Sequence, residues 1–359
     1  MIMRKLKVGI VGSGGIGLAY AAWISHQGHE VAIWSPRGSN TNELQNGILK
    51  STGILEETLS ISCANNAQAL VEDADIIFIA VPVNGHRTVM DALLPHLMSG
   101  QQIIVSSMAS LSSLYLYERA CLRGINISVA SFGTTALTAR RKSPNHVHIM
   151  TKRPSLGVSC LPRSNSQIAL VVCEKLFGSE FTVDENPLYS TLTNTNAVSH
   201  SPLAIFNWTR IERGEDWPQY HFMTPHVAAV IEKLDAERLA VASAFGWNLR
   251  NIKQKYSKSF NVEGDRLADM AAELHKKRGG PPGPVDVKTR FLSEDVPFGL
   301  VFTLALGRMV DVSMPATEAT IAMAGFIVGE NFIETNDLID SLRLPSETTE
   351  GLLRRVNID

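Results

Sequence analysis

The sequence predicts an α/β chain in two parts, a doubly wound parallel sheet followed by an all-α domain. Three observations carry this expectation. The chain opens on a short apolar run, Lys7 to Val11, that meets glycines at Gly12, Gly14 and Gly17 and then an alanine-rich helical pattern. Apolar strand-like runs and helical patterns alternate from there to residue 183, and after Asp184-Glu185-Asn186-Pro187 long helical stretches take over. Length agrees, because 359 residues suit two domains of about 100–200 residues each.

The opening element explains its own glycines. Gly12 permits a tight turn, Gly14 lets the backbone approach an anion, and Gly17 lets helix pack on strand. Ser13, Gly15 and Ile16 complete the loop, and free N–H groups at the positive end of the helix would hold a pyrophosphate. A second strand at 30–34 supplies the context in which the pattern reads as a Rossmann dinucleotide-binding unit. NAD-specific folds place Asp or Glu at the end of that strand, to accept from the ribose hydroxyls. Here Ser35 stands there, with Arg37 two residues on. A hydroxyl and a guanidinium suit a 2′-phosphate better than a bare diol, so NADP is the expected cofactor and NAD the alternative. The bland reading of Arg37 is a solvated loop charge.

The remaining elements follow in order. A strand at 59–62 and a helix at 66–73 precede the nearly continuous apolar run 74–83, the mark of a parallel strand covered on both faces. Ligands lie beyond the carboxyl ends of such strands, which places Val81, Pro82 and Val83 against the cofactor, with Asn84 nearby. His86 close by either touches a ligand or only caps the next helix. A strand at 102–106, a helix at 111–123 and a strand at 125–131 lead to Phe132-Gly133-Thr134-Thr135. The hydroxyls of that loop face either a substrate or their own backbone. His146-Val147-His148-Ile149 alternates as a strand does; with no carboxylate or cysteine beside the two histidines, no metal is expected. Residues 154–162 read as a break rich in proline, serine and glycine, 166–177 as a helix and 180–183 as the closing strand. The expected domains are 1–186 and 187–359, the second helical over 188–211, 226–245, 262–277 and 296–310.

Bulk properties exclude several classes. The chain is 45% hydrophobic and 19% charged with a formal net charge of −2, which gives no reason to expect nucleic acid or an anionic membrane as partner. No apolar run is long enough to span a bilayer. Arg4, Lys5 and Lys7 before an apolar stretch imitate a secretory leader, but the glycines that follow argue against one, so a cytoplasmic location is expected. Cys63, Cys121, Cys160 and Cys173 are spaced for neither zinc nor a disulfide framework and are expected to be buried thiols. A homodimer is one option for assembly.

The residues with chemistry to offer lie in the helical half. His200 stands among small and apolar neighbours, with Asn207 seven residues on. It is either a satisfied core histidine or, on a helix facing the cofactor, a group that exchanges a proton near neutral pH. The second cluster runs Arg290-Phe-Leu-Ser-Glu-Asp295-Val-Pro-Phe-Gly-Leu. Asp295, just before Pro297, either caps a helix or orients His200 across the gap between the domains. Arg290 offers a fork of donors matched to a carboxylate. The preceding Gly279-Gly280-Pro281-Pro282-Gly283-Pro284 either closes over a substrate or is a surface connection.

These motifs, with the GSGGIG of residues 12–17 and Asn196-x-x-x-His200, resemble the opine dehydrogenases of the octopine/nopaline group over residues 7–333. The family's usual His-Pro is here His200-Ser201-Pro202. The resemblance implies reductive condensation of an amino acid amine with a 2-oxo acid, pyruvate or 2-oxoglutarate, driven by NAD(P)H. It implies that His200 is catalytic with Asp295 as its partner. It also implies that Arg290 holds a substrate carboxylate, that Thr134 or Thr135 contacts the oxo acid, and that Asn207 joins the substrate-binding set. Two other readings compete. One is an oxidoreductase like ketopantoate reductase or glycerol-3-phosphate dehydrogenase, using a lysine such as Lys233. The other is a non-catalytic NADP(H) sensor.

Overall fold

The computed structural model describes residues 5–38, 41, 44 and 46–359. Arg4 lies outside the described residues. Two compact units emerge, residues 1–191 with 353–359, and residues 192–352. The boundary thus falls at 191/192, where the sequence suggested 186/187. The last seven residues rejoin the first unit, because Arg355 makes a two-point bond to Glu118 (2.7 and 2.9 Å) and Arg163 N–H donates to Ile358 O (2.8 Å).

β1 (Lys7–Val11) sits inside an eight-stranded sheet, since its apolar side chains have cover on both faces. The other strands of that sheet are β2 (Glu30–Trp34), β5 (Ser62–Cys63), β6 (Ile76–Ile79), β7 (Gln102–Val105), β8 (Ser128–Ser131), β11 (Ser155–Leu161) and β12 (Glu180–Val183). Their order is β12-β11-β8-β7-β6-β1-β2-β5. The run from β8 to β5 is parallel; β11 pairs antiparallel with β8 and parallel with β12. The doubly wound sheet therefore ends in a reversed pair. β11 overturns the expected break at 154–162: its prolines lie outside the strand, and Cys160 and Leu161 are buried.

A second sheet, ordered β4-β3-β10-β9, was not anticipated. It comprises β3 (Ile48–Gly53), β4 (Glu57–Ser60), β9 (Leu137–Ser143) and β10 (His146–Lys152). It explains α1 (Gly15–His26), which is apolar nearly all round: a helix of that kind needs partners on more than one side. Further helices of the first unit are α2 (Ala67–Glu72), α3 (His86–Leu93), α4 (Ser112–Cys121) and α5 (Ser166–Phe177). In the core, Tyr20 packs on Phe78 and Phe177, with ring centroids 4.6 and 5.4 Å away. Its hydroxyl meets Ser106 Oγ at 2.7 Å and accepts from Ala136 N–H at 3.0 Å, and burial pushes its pKa up to about 12. His146 and His148 both hydrogen-bond Thr52 Oγ1 (3.0 and 3.1 Å). No cluster of three metal-ligating side chains occurs among the described residues. Cys160 and Cys173 are buried as expected, but Cys63 is half-buried and Cys121 exposed.

The helical stretches break where the sequence read them as continuous. Residues 188–211 resolve into α6 (Pro187–Thr193), α7 (Asn196–Phe206) and α8 (Trp208–Glu212). α9 (Pro225–Ala244), α10 (Ile252–Phe260) and α11 (Leu267–Arg278) follow, then α12 (Arg290–Ser293) and a wide π turn over Val296–Val301. α13 (Phe302–Met309), α14 (Pro315–Val328), α15 (Phe332–Thr335), α16 (Asp337–Ser341) and α17 (Thr349–Val356) complete the chain. α9 is the spine of the second unit. Its buried Arg238 donates to Asp235 Oδ1 (2.9 and 2.7 Å), Leu192 O (2.5 Å) and Arg250 O (3.0 Å), while Asp235 Oδ2 accepts from Ile252 N–H (2.7 Å). No helix among the described residues is long and apolar enough to cross a membrane.

His86 touches no open surface. It is fully buried, with Nδ1 2.8 Å from Ser112 Oγ and Nε2 3.1 Å from Val81 O, and burial pushes its pKa down from 6.5 to about 4. The unfolded chain therefore takes up a proton that the folded chain refuses. Stability should fall as pH drops below about 6.5 and level off below about 4, a loss on the order of 3 kcal/mol from this side chain. Urea denaturation at pH 7, 5 and 4 measures it, with about 2 kcal/mol of the loss already present at pH 5. His86→Asn should flatten the profile, and an unchanged slope would refute the assignment.

Candidate active site

In the first unit the glycine turn has the geometry its spacing implied. Gly12 has φ +114°, and a Cβ there would stand 2.7 Å from Ala80 O and 2.8 Å from Val81 Cγ1. A Cβ on Gly17 would collide with the carbonyl of Gly12, so α1 can start at this point only with glycine there. Gly14 faces open space; a side chain would occupy it. No side chain caps α1 at Gly14, which leaves the first-turn N–H groups, Gly15 and Ile16 included, facing outward for an external acceptor. Ser13 Oγ is buried, at 2% residue exposure, and has no hydrogen-bond partner. A buried hydroxyl without a partner beside unpaired N–H groups fits a phosphate oxygen. Val81 is half-buried against Gly12 and Pro82 is exposed beside it. Ser35 is buried at the end of β2, and Arg37 is exposed two residues on.

The loop after β8 is held from below by Arg153. Its Nε donates to Thr135 O at 2.8 Å and its Nη2 to Thr134 Oγ1 at 3.4 Å. The Thr134 hydroxyl is thus engaged by an arginine, whereas Thr135 lends only its backbone. Both threonines remain half-exposed.

His200 and Asp295 lie in the helical unit, and their pairing is internal to it. Nδ1 of His200 stands 2.9 Å from Asp295 Oδ2, and the two side chains are 17% and 13% exposed. A carboxylate only accepts, so Nδ1 carries the proton and Nε2 is left as the free nitrogen. Local architecture produces this contact. α7 carries His200, and Asp295 is the residue from which the π turn starts. Gly299 in that turn lies against Ala197, where a Cβ would collide with the alanine methyl, so the two segments approach closely. Asn336 braces the turn by donating to Pro297 O at 2.8 Å. The imidazole also stacks on Phe291, with centroids 3.9 Å apart and planes 2° from parallel.

Other expected residues fare differently. Arg290 is 60% exposed at its side chain and reaches Glu294 only at 3.9 Å. Asn207 is buried at the end of α7 and donates to Leu203 O at 3.0 Å, an anchoring bond within its own helix. The 279–284 segment is tied down. Gln219 Nε2 donates to Pro282 O (2.9 Å), Trp217 Nε1 donates to Pro284 O (3.0 Å), and Gly280 and Gly283 lie flat on the rings of Tyr220 and Trp217. A closing lid does not fit that pinning. Lys233 is exposed on α9. Sequence reasoning named Phe291 only as part of a motif; its ring contact is a tertiary fact that spacing does not encode.

A family model for the alpha-helical domain of NAD/NADP octopine/nopaline dehydrogenase matches residues 183–328. A model for the N-terminus of NAD-dependent glycerol-3-phosphate dehydrogenase matches residues 7–114. An opine dehydrogenase of Arthrobacter sp. (strain 1C) is 28% identical over 350 residues, 96% of each chain. An octopine dehydrogenase solved with NADH and L-arginine superposes with a TM-score of 0.79 at 17% identity, covering 97% of this chain and 98% of that one. A yersinopine dehydrogenase solved with NADP+ bound gives 0.73 at 15% identity, covering 96% and 99%.

Asn207→Ala should cost about 1 kcal/mol of stability in urea denaturation, because the Leu203 carbonyl loses its extra donor. The substrate KM should stay within twofold. A large KM change at unchanged stability would return Asn207 to the substrate-binding set.

Proposed function

The chain belongs to the opine dehydrogenase family, and from that premise we propose that it joins an amino acid to a 2-oxo acid, pyruvate or 2-oxoglutarate, by NAD(P)H-dependent reductive condensation. The reversible reaction is amino acid + 2-oxo acid + NAD(P)H + H+ giving N-(carboxyalkyl)amino acid + NAD(P)+ + water. The observation that carries the reading is the 2.9 Å bond between His200 and Asp295.

The amine must lose a proton before it can attack the oxo carbon. His200 Nε2 accepts that proton, and Asp295 stabilises the imidazolium through Nδ1–H. The proton then goes to the departing hydroxyl as the imine forms and water leaves. A reduced nicotinamide, when bound, supplies the hydride that the imine carbon takes up. Gly14, Gly15, Ile16 and Gly17 would hold its pyrophosphate on backbone N–H groups, with Ser13 Oγ as a further donor, while Gly12, whose N–H is spent on Trp34 O at 2.7 Å, would let the backbone turn close beneath it. Val81 and Pro82 would line the cofactor. Ser35 and Arg37 favour the 2′-phosphate of NADP over a bare ribose diol, which makes NADPH the preferred donor. Arg290, exposed and loosely held, would clamp a substrate carboxylate, and Thr134 or Thr135 would touch the oxo acid. Four free cysteines suit a reducing cytoplasm.

The test crosses amino acids with pyruvate, 2-oxoglutarate and oxaloacetate and follows NADPH oxidation. At least one pair should turn over, and NADPH should outperform NADH. His200→Ala should lower kcat about 10²–10⁴-fold, the usual worth of a general acid–base group, with NADPH affinity unchanged. Lys233→Ala should leave turnover intact. Binding of NADPH without turnover for any pair would favour a cofactor sensor, and loss of activity in Lys233→Ala would favour the lysine-dependent dehydrogenases.

A further inference from the structure

An imidazole that exchanges protons must be held in direction as well as in place. The bond to Asp295 fixes one edge of the His200 ring but leaves it free to rock about the line through Nδ1. A second constraint is present. The Phe291 ring lies face to face with the imidazole, centroids 3.9 Å apart and planes 2° from parallel. Phe291 is itself immobilised. It is 7% exposed, its N–H donates to Thr289 Oγ1 at 3.2 Å, and its carbonyl accepts from the Ser201 hydroxyl at 3.5 Å. Ser201 is the residue next to His200, so the segment that carries the phenyl ring is fastened to the helix that carries the imidazole. One edge and one face of the imidazole are therefore occupied. Nε2 makes no hydrogen bond to any described residue and is left to point in one direction only.

We propose that Phe291 is a positioning residue that sets the ring plane of His200 and so aims Nε2 at the reacting amine. The proposal rests on the reading of His200 as the proton-exchanging group. Phe291 touches neither substrate nor cofactor in this scheme; it acts through the imidazole. Flat stacking of an aromatic face also tolerates the positive charge that the ring acquires after proton uptake, so the constraint persists through the cycle. A leucine would fill most of the same space without presenting a plane. A tyrosine would keep the plane.

The experiment has two readouts on the purified full chain, wild type, Phe291→Leu and Phe291→Tyr. The first is the NMR signal of the His200 ring protons in histidine-labelled protein, assigned by their loss in His200→Ala. A stacked phenyl shields them, so they should move downfield in Phe291→Leu and stay near the wild-type position in Phe291→Tyr. The second is steady-state kinetics with the best substrate pair. Phe291→Leu should lower kcat about tenfold to 100-fold, the scale of a slight misorientation of a catalytic group. KM for NADPH should remain unchanged, and Phe291→Tyr should recover most of kcat. Unshifted ring protons in Phe291→Leu would overturn the proposal, as would full kcat despite a shifted signal. Loss of kcat in Phe291→Tyr with the shielding retained would overturn it too. A wild-type chain that turns over no pair would instead overturn the functional reading, and the NMR arm would still decide whether Phe291 sets the ring plane.

Discussion

The 2.9 Å contact between His200 Nδ1 and Asp295 Oδ2 is the constraint on which the rest of the helical unit depends. The π turn would be costly as a mere connection, yet it brings Asp295 to α7 and puts Gly299 where only a hydrogen fits beside Ala197. The buried Arg238–Asp235 pair fastens α9 to the backbone at Leu192 and Arg250, a few residues before α7 and α10 respectively. Removing either charge would strand the other in a dry interior, at a cost of about 3–5 kcal/mol. The buried pair thus ties α9 to the chain on either side of it.

The first unit obeys a separate constraint, the close approach of α1 to β1. Gly12 and Gly17 exist because their neighbours leave no room, and the same turn leaves the Ser13 hydroxyl buried with no protein partner. Steric necessity fixes the turn that the proposed cofactor cradle uses. The second sheet completes this arrangement by covering α1, which lets a helix made almost wholly of small and apolar residues stay folded.

What was legible in the sequence follows from how local its cause is. β1, β2, β12 and α5 are set by short-range pattern and were read within a residue or so. The glycine turn was legible for the same reason, since each glycine answers a backbone demand within its own loop. β11 was misread because flanking prolines and an internal glycine argue locally against a strand, while its burial beside β8 is a long-range fact. β3 and β9 escaped notice because strands with many polar residues carry little periodic signal. In the helical unit, His200 and Asp295 stood out by residue type, and the structure brings them together. Asn207 had the same polar character but spends it on its own helix. The Gly-Pro segment looked mobile by composition, yet its carbonyls are held by Trp217 and Gln219. Composition reports what a segment is able to do; only packing decides what it is tied to.

The central claim is that His200 and Asp295 work as one device. A double-mutant cycle on turnover tests it most directly, using His200→Ala, Asp295→Ala and the double variant with one substrate pair. If the carboxylate acts only through the imidazole, Asp295→Ala should cost a large factor alone and almost nothing further once His200 is gone. Losses that multiply would mean that the two side chains contribute independently, and would contradict the account.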